Sequence, residues 1–295
     1  MLTWPVASIG WISSIIQQAE ASQKRINEFL NERSEITNFN LNDTSNILGE
    51  ISFNNVNYKY KETGIAATNN INFSIKSVDK LGITGGTGSG KSTLMNLLCR
   101  LYDIDDGEIL IDNIPIKEIN LNSLRKQIGY VPQDTFLFSD TIMNNIKFGI
   151  ENATRDEVIK ACKTAAIHNE ISNFEKGYDT ILGERGINLS GGQKQRISIA
   201  RALIKKPKIL ILDDCLSAMD TQTEELILKS LESYTKNIST IIISHRISSI
   251  KNTNNIIVLE NGSIIQSGTH NQLINQNGYY KQLYNKQIIK KESIE

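Results

Sequence analysis

Several things are scarce in this sequence, and each scarcity removes a class of protein. Cysteine occurs three times in 295 residues, at Cys99, Cys162 and Cys215, with no CxxC pair. All three lie within apolar or helical stretches, which fits reduced, packed thiols in a cytosolic compartment, and no chemistry is assigned to them. An excess of either charge is missing as well. Lys+Arg and Asp+Glu both number 32, a formal net charge of zero, so there is no overall electrostatic case for a nucleic-acid partner. Long apolar runs are also lacking. The richest, Met1 to Ile16, holds Leu2, Trp4, Val6, Ile9, Trp11, Ile12, Ile15 and Ile16, yet falls short of the ~20 residues a spanning helix needs. It cannot cross a bilayer by itself, and it has neither the basic start nor the small-residue cleavage site of a secretory signal. Internal repeats, low-complexity tracts and a sustained heptad seam are absent too. What remains is 39% hydrophobic residues, enough for one large folded domain or two modest ones.

The chain is organised around Gly85-Gly86-Thr87-Gly88-Ser89-Gly90-Lys91-Ser92-Thr93. The apolar run Leu81-Gly82-Ile83-Thr84 precedes it, and Leu94, Leu97, Leu98 and Leu101 follow at helical spacing, so the stretch reads as strand, glycine loop, helix. A glycine-rich turn that merely precedes a lysine would not need both flanking elements. In this context glycines let backbone N–H groups turn inward around phosphate oxygens, and the helix N-terminus adds its positive end. Lys91 reaches the β/γ-phosphates and Ser92 offers a hydroxyl to Mg²⁺. A nucleoside triphosphate is the expected ligand.

Along the rest of the chain, a helical pattern from the apolar start through Ile26 and Leu30 dissolves into the polar stretch Thr37 to Ser45. It reads as a helix stub and then a linker, the alternative being an amphipathic helix packed on the globular part. From Ile51 strand periodicity takes over, in Ile51 to Phe53, Val56 to Tyr60, Ile71 to Ile75 and Glu108 to Asp112, as an antiparallel sheet flanking the nucleotide. Between Asp140 and Leu189 the pattern turns helical, with a capping box at Thr154 to Glu157 ahead of a helix to about Ile167. Strand and helix then alternate: helix Gln193 to Ile204, strand Ile209 to Leu212, helix Thr223 to Leu231, strands Thr240 to Ile243 and Ile256 to Leu259. That alternation implies a parallel α/β core.

Two segments beyond the P-loop carry chemistry. Ile209-Leu210-Ile211-Leu212-Asp213-Asp214 suits a strand buried on both faces that ends in two carboxylates, at the edge where open parallel sheets place ligands. Asp213 is expected to help hold Mg²⁺, a hard cation that takes oxygen ligands. Asp214 is expected to meet the water that attacks the γ-phosphate. Alone, such a pair would serve equally well as a turn or helix cap. Leu189-Ser190-Gly191-Gly192-Gln193 opens the next helix. Ser190 reads as its N-cap, and the two glycines leave unshielded N–H groups at a positive helix end, a second phosphate site. One P-loop and a second phosphate-binding helix start imply nucleotide shared between two molecules.

Together, Gly85 to Thr93, Leu189 to Gln193 and Ile209 to Asp214 resemble the nucleotide-binding domain of ABC transporters, for which the five-residue LSGGQ signature is highly specific. The resemblance covers nearly the whole chain. It implies an α/β fold of the ABC ATPase type: a RecA-like P-loop core, an antiparallel β subdomain and a helical subdomain at about 136–192. That domain would span 51–290, after a stub at 1–36 and a linker at 37–50. The stub is similar to the last turns of the sixth transmembrane helix and its cytoplasmic extension, so the resemblance places the transmembrane domain ahead of this segment. It also implies ATP and Mg²⁺ as cofactors, a position on the cytoplasmic face of the inner membrane, and a second ABC subunit as partner.

The resemblance assigns roles residue by residue. Tyr60 matches the aromatic that stacks on adenine, leaving Tyr58 an ordinary strand residue. Gln133 matches the glutamine that touches Mg²⁺ and senses the transmembrane part. Ser190, Gly191, Gly192 and Gln193 complete a partner's nucleotide site, and Asp220 matches the loop that crosses the dimer. His245 matches the switch histidine that contacts the γ-phosphate; a lone histidine at a strand end is otherwise more often structural. Gly183-Glu184-Arg185-Gly186 is similar to the exporter loop that touches the partner's coupling helix, and without the resemblance would be a charged turn.

One position departs from the family pattern: Asp214 stands where a glutamate is usual. An ATPase that closes as a dimer around two ATP and powers efflux is therefore one expectation. An ATP-clamping module with a slow, degenerate site in a heterodimeric exporter is another, and a homodimer with two slow sites stays open. Chromosome-maintenance ATPases share an LSGGQ-like signature, but they need long coiled-coil arms that the stretch from Thr93 to Thr180 does not provide.

Overall fold

The computed structural model describes residues 3–32, 34, 36–38, 46–150 and 152–292. The chain divides into two units, up to Thr37 and from Asn38 onward. The first is a single helix, α1 (Thr3–Asn31), with no buried side chain. Among the described residues no helix is long and apolar enough to cross a membrane. Much of the expected linker, residues 39–45, lies outside the described residues.

In chain order the second unit runs β1 (Ile51–Lys59), β2 (Ala66–Ile75), β3 (Lys80–Gly85), α2 (Lys91–Leu98), β4 (Asp106–Ile111), β5 (Ile114–Pro115), α3 (Leu121–Gln127) and β6 (Ile128–Val131). It continues with α4 (Ile142–Lys147), α5 (Arg155–Thr164), α6 (His168–Ser172), α7 (Gly191–Ile204), β7 (Ile209–Asp213), α8 (Thr221–Tyr234) and β8 (Ser239–Ile243). It closes with α9 (Ile247–Ile250), β9 (Asn255–Glu260), β10 (Ser263–Gly268), α10 (His270–Asn275) and α11 (Tyr279–Glu292).

The central sheet has the order β10-β9-β3-β8-β7-β6. Its pairs are parallel except β9 with β10. Continuous apolar runs such as Ile209 to Leu212 and Ile241 to Ile243 suit strands covered on both faces, and every residue of β7 and β8 is buried. Alternate residues divide between two cores, as a strand's period of two requires. Ile209, Ile211, Ile241, Ile243 and Ile257 join Leu94, Met95, Leu97 and Leu98 of α2 and the inner face of the second sheet. Leu210, Leu212, Ile242, Ile256 and Val258 pack with the helical side, including Val158, Ile197, Leu203 and Ile227. The second sheet, β2-β1-β4-β5, is antiparallel.

The fold class is therefore the expected one, with local differences. The two strands expected at 51–53 and 56–60 are one strand, interrupted by a register shift between Phe53 and Val56. Asn55 takes a left-handed φ of 50° there, and its N–H donates to Asn72 Oδ1 at 2.9 Å, so asparagines satisfy the bulge. The expected capping box is present: Glu157 N–H donates to Thr154 Oγ1 and Thr154 N–H to Glu157 Oε2. Helix α5 stops at Thr164, slightly before the expected Ile167. β6 and β10 were not expected, and they form the two edges of the central sheet.

Candidate nucleotide site

The carboxyl ends of the parallel strands carry the residues that the sequence singles out. β3 runs into the glycine loop, β7 ends at Asp213, His245 follows β8, and Gln133 lies two residues beyond β6 and is exposed. Two glycines of the loop are demanded by close approach. A Cβ at Gly85 would stand 2.1 Å from the Leu259 carbonyl oxygen, and one at Gly90 2.3 Å from that of Ala67, with φ of 149° and 97°. Around Gly86 and Gly88, by contrast, the space is open.

Lys91, the first residue of α2, folds back over the loop. Its Nζ donates to Gly85 O at 2.9 Å, Gly86 O at 2.6 Å and Ser89 Oγ at 3.3 Å. Burial pushes its pKa below the usual lysine value, against the attraction of Asp213 and Asp214. Ser92 lies near enough to the Asp213 carboxylate to favour its charged form, and Asp213 Oδ2 accepts from Tyr130 OH at 3.2 Å. Burial raises the Asp213 pKa despite Ser92, Tyr130 and Lys91.

Asp214 follows at the end of β7 with a left-handed φ of 45°. Its N–H donates to Ile243 O at 2.9 Å and its carbonyl accepts from Ser217 Oγ at 2.8 Å. Burial raises the pKa of its carboxylate, against the opposing influence of His245 and its backbone N–H, Lys91 and Arg246. Only 8% of the residue is exposed, and Oδ1 has no hydrogen-bond partner. A buried, unpartnered carboxylate oxygen beside a lysine and a histidine is costly to maintain.

Tyr60 stands at the other flank. Its hydroxyl is 3.0 Å from Thr93 Oγ1, and its ring meets Tyr58 and Tyr102 edge-on, with centroids 5.1 and 5.6 Å away. Lys91, Ser92, Asp213, Asp214 and His245 are thus brought together by direct contacts and shared charge, with Tyr60 tied to the same helix. Tyr130 and Tyr102 are neighbours that the sequence reading did not name. Tyr130 lies in β6, a strand too short to show a period, and Tyr102 follows α2 within Leu101-Tyr102-Asp103.

Ser190, Gly191, Gly192 and Gln193 form a separate locus at the start of α7. Ser190 Oγ accepts from Gln193 N–H at 3.3 Å and Gln193 Oε1 from Ser190 N–H at 3.0 Å, a full capping box. The first-turn amides of Gly191 and Gly192 face outward by helix geometry, and an added Cβ on either would meet only Ala218 or Met219, at 3.6 Å. Glu170 anchors this helix start through Gln193 Nε2 at 2.9 Å and a two-point pair with Arg196. Burial would raise the Glu170 pKa, but the bonds from Arg196 and Gln193 hold it below the usual range. Asp220 is exposed and caps α8, its Oδ1 accepting from Thr223 N–H at 2.9 Å.

The loop fits a triphosphate and the hydroxyl and carboxylate oxygens fit Mg²⁺. The open space over Gly86 and Gly88 admits phosphate oxygens to loop amides. Ser92 and Asp213 supply hard oxygen donors, and a nucleotide-bound Mg²⁺ needs only one or two protein ligands beside phosphate and water.

Fold and site together define a P-loop nucleotide-binding domain with a second glycine-led, capped helix start. A family model described as ABC transporter matches residues 68–217. YknU of Bacillus subtilis (strain 168), an uncharacterized ABC transporter ATP-binding protein, is 43% identical over 97% of this chain and 49% of its own length. MdlA of Escherichia coli (strain K12), a multidrug resistance-like ATP-binding protein, is 41% identical over 96% of this chain and 48% of its own. Among solved structures, a bacterial Atm1-family ABC exporter with ATP bound aligns with a TM-score of 0.85 at 36% identity, covering 97% of this chain and 51% of that one. The chain belongs to the ABC transporter family and carries its ATPase domain, of the kind found in exporters. It spans about half the length of these relatives.

Proposed function

We propose that this chain binds MgATP at its own P-loop, with the start of α7 from a second ABC subunit closing over the γ-phosphate, and that the resulting dimer powers efflux through a transmembrane domain. The observation that carries the reading is the unpartnered Asp214 Oδ1, held beside Lys91, Asp213 and His245. Loop amides from Gly85 to Gly90 and the Lys91 ammonium would hold phosphate oxygens, and Tyr60 would stack on the base. Ser92 and Asp213, with Gln133 on the same edge, would hold Mg²⁺, whose charge helps neutralise the phosphates. Asp214 would take the proton of the attacking water, and His245 would donate to the γ-phosphate.

Asp214 has one methylene fewer than the glutamate usual there, so its base falls short and this site turns over slowly. The start of α7, with its capping box, exposed Gly191 and half-buried Gly192, would complete the site of a partner that carries the longer carboxylate. A heterodimer with one slow and one fast site is accordingly the preferred assembly. Residues 1–36 would lead in from the membrane domain and 37–50 would link them to the ATPase domain, at the cytoplasmic face of the inner membrane. A set of exposed aromatics following Gln133 supports docking of that membrane domain. Phe136, Phe138 and Phe148 are exposed by 50, 39 and 56%, and the Arg201 guanidinium lies 5.9 and 5.8 Å from the Phe138 and Phe148 ring centroids. The name of the Atm1-family exporter supports export as the task.

Light scattering of the His245→Ala chain tests the shared site, because slowed hydrolysis preserves the ATP state. ATP with Mg²⁺ should give a dimer and ADP a monomer. A monomer at saturating ATP would overturn closure of the site by a second copy of this chain and leave the heterodimer, which the same measurement with the partner subunit added then tests.

A further inference from the structure

We infer that Gln287, on the C-terminal helix α11, is a positioning residue for His245. The inference rests on the reading above that His245 acts on the γ-phosphate. The segment after β8 leaves the sheet and must satisfy its backbone outside any ladder. Ser244 N–H donates to Ile83 O at 3.0 Å, His245 N–H lies near enough to the Asp214 carboxylate to favour its charged form, and Arg246 N–H donates to Ser244 Oγ at 2.9 Å. Within the segment the His245 carbonyl and the Ile247 N–H find no partner. Gln287 takes both: Nε2 donates to His245 O at 2.6 Å and Oε1 accepts from Ile247 N–H at 3.0 Å. An amide offers a donor and an acceptor side by side, so one side chain brackets the backbone on both sides of Arg246.

The register of α11 makes this bracket a fixed one. Tyr280 near its start is fully buried. Its N–H donates to Gln266 Oε1 at 3.1 Å, and its hydroxyl bonds His270 Nδ1 at 2.8 Å. Seven residues on, Gln287 returns to the same face of the helix. The flank of the segment opposite α11 is tied separately. Arg246 donates to Ser217 O at 2.8 Å, to Met219 O at 3.1 Å and to the buried Glu224 carboxylate, which also accepts from Ser249. Removing the Gln287 bracket therefore frees the His245 backbone while leaving the Arg246 anchor in place.

The test is a double-mutant cycle on the full chain, reading kcat and KM with radiolabelled ATP. Gln287→Ala should lower kcat about tenfold, within the roughly hundredfold that a 1 Å misplacement can cost, with KM unchanged. Gln287→Glu keeps the acceptor for Ile247 but loses the donor to His245, so it should fall with the alanine variant. In a His245→Ala background, Gln287→Ala should cost nothing more, because its effect passes through the histidine. An equal fractional loss in both backgrounds, or no loss from Gln287→Ala where His245→Ala is impaired, would overturn the proposal alone. Unimpaired turnover in His245→Ala would instead remove the underlying reading of the histidine. Thermal unfolding of Gln287→Ala should stay cooperative, and a collapsed transition would mark the bracket as structural and defeat the inference.

Discussion

Replacing Asp214 by glutamate probes the reach of the proposed base. One oxygen of the aspartate carboxylate, Oδ1, is buried without a hydrogen-bond partner, and one added methylene extends the carboxylate by about 1 Å or more. Misplacement of that size costs about a hundredfold in rate, equivalent to about 2.7 kcal/mol at 1.36 kcal/mol per tenfold. Intrinsic basicity does not compete, since Asp and Glu differ by only about 0.4 pKa units. Two costs do. The position is buried, where overpacking costs about 1–3 kcal/mol, and its left-handed φ of 45° suits aspartate better than glutamate. Asp214→Glu should therefore melt somewhat earlier yet hydrolyse ATP tens of times faster in a single-turnover assay, at unchanged ATP affinity. Asp214→Asn should be slower than the native chain, because the carboxylate is gone. An unchanged rate in Asp214→Glu, with ATP still bound, would show that carboxylate reach is not limiting and would refute the slow-site argument.

Tyr60→Ala should weaken ATP binding by several-fold, in line with the ~0.5–1.5 kcal/mol of aromatic stacking. Tyr60→Phe, which loses only the contact to Thr93, should bind nearly as well in the same equilibrium titration. Glu170→Ala leaves the largely buried Arg196 guanidinium without its carboxylate, though still bonded to the Ala166 and Gly192 carbonyls, and should destabilise the helical side by about 1–3 kcal/mol, read by denaturant melts. The pKa of Glu170 is lower folded than unfolded. Its contribution is therefore present above the unfolded carboxylate value and lost as pH falls through the folded one, so the Glu170→Ala deficit should shrink on acidification. Deleting residues 1–37 removes a helix with no buried side chain and two exposed tryptophans, and should leave ATP affinity unchanged while reducing adhesion to detergent or vesicles.

The parts of the fold that sequence made legible are those where pattern and packing agree. Ile209 to Asp213 reads as a doubly buried strand because both of its faces are covered, and Thr154 and Ser190 announce their helices through capping boxes that the structure contains. β6 escaped because four residues with a glycine, Ile128-Gly129-Tyr130-Val131, show no period. β10 escaped because Ser263, Gln266 and Ser267 break its apolar face. Its hairpin was nevertheless signalled by Asn261-Gly262, whose left-handed φ values of 49° and 76° are those of a two-residue strand connection. At the site, glycine spacing and adjacent aspartates were local signals. The Tyr130 bond to Asp213 and the Gln287 bracket join residues 83 and 42 positions apart, which no local pattern encodes.

Equilibrium binding of ATP to Lys91→Ala tests the central claim most directly. Lys91 holds the loop through Gly85 O, Gly86 O and Ser89 Oγ, positions that a phosphate would contest. A charge-assisted hydrogen bond contributes about 1.5–3 kcal/mol, so the variant should bind ATP at least about tenfold more weakly than the native chain, and more weakly than Tyr60→Ala, while remaining folded by thermal melt. Equal ATP affinity in the native and Lys91→Ala chains would contradict the assignment of the nucleotide to this loop.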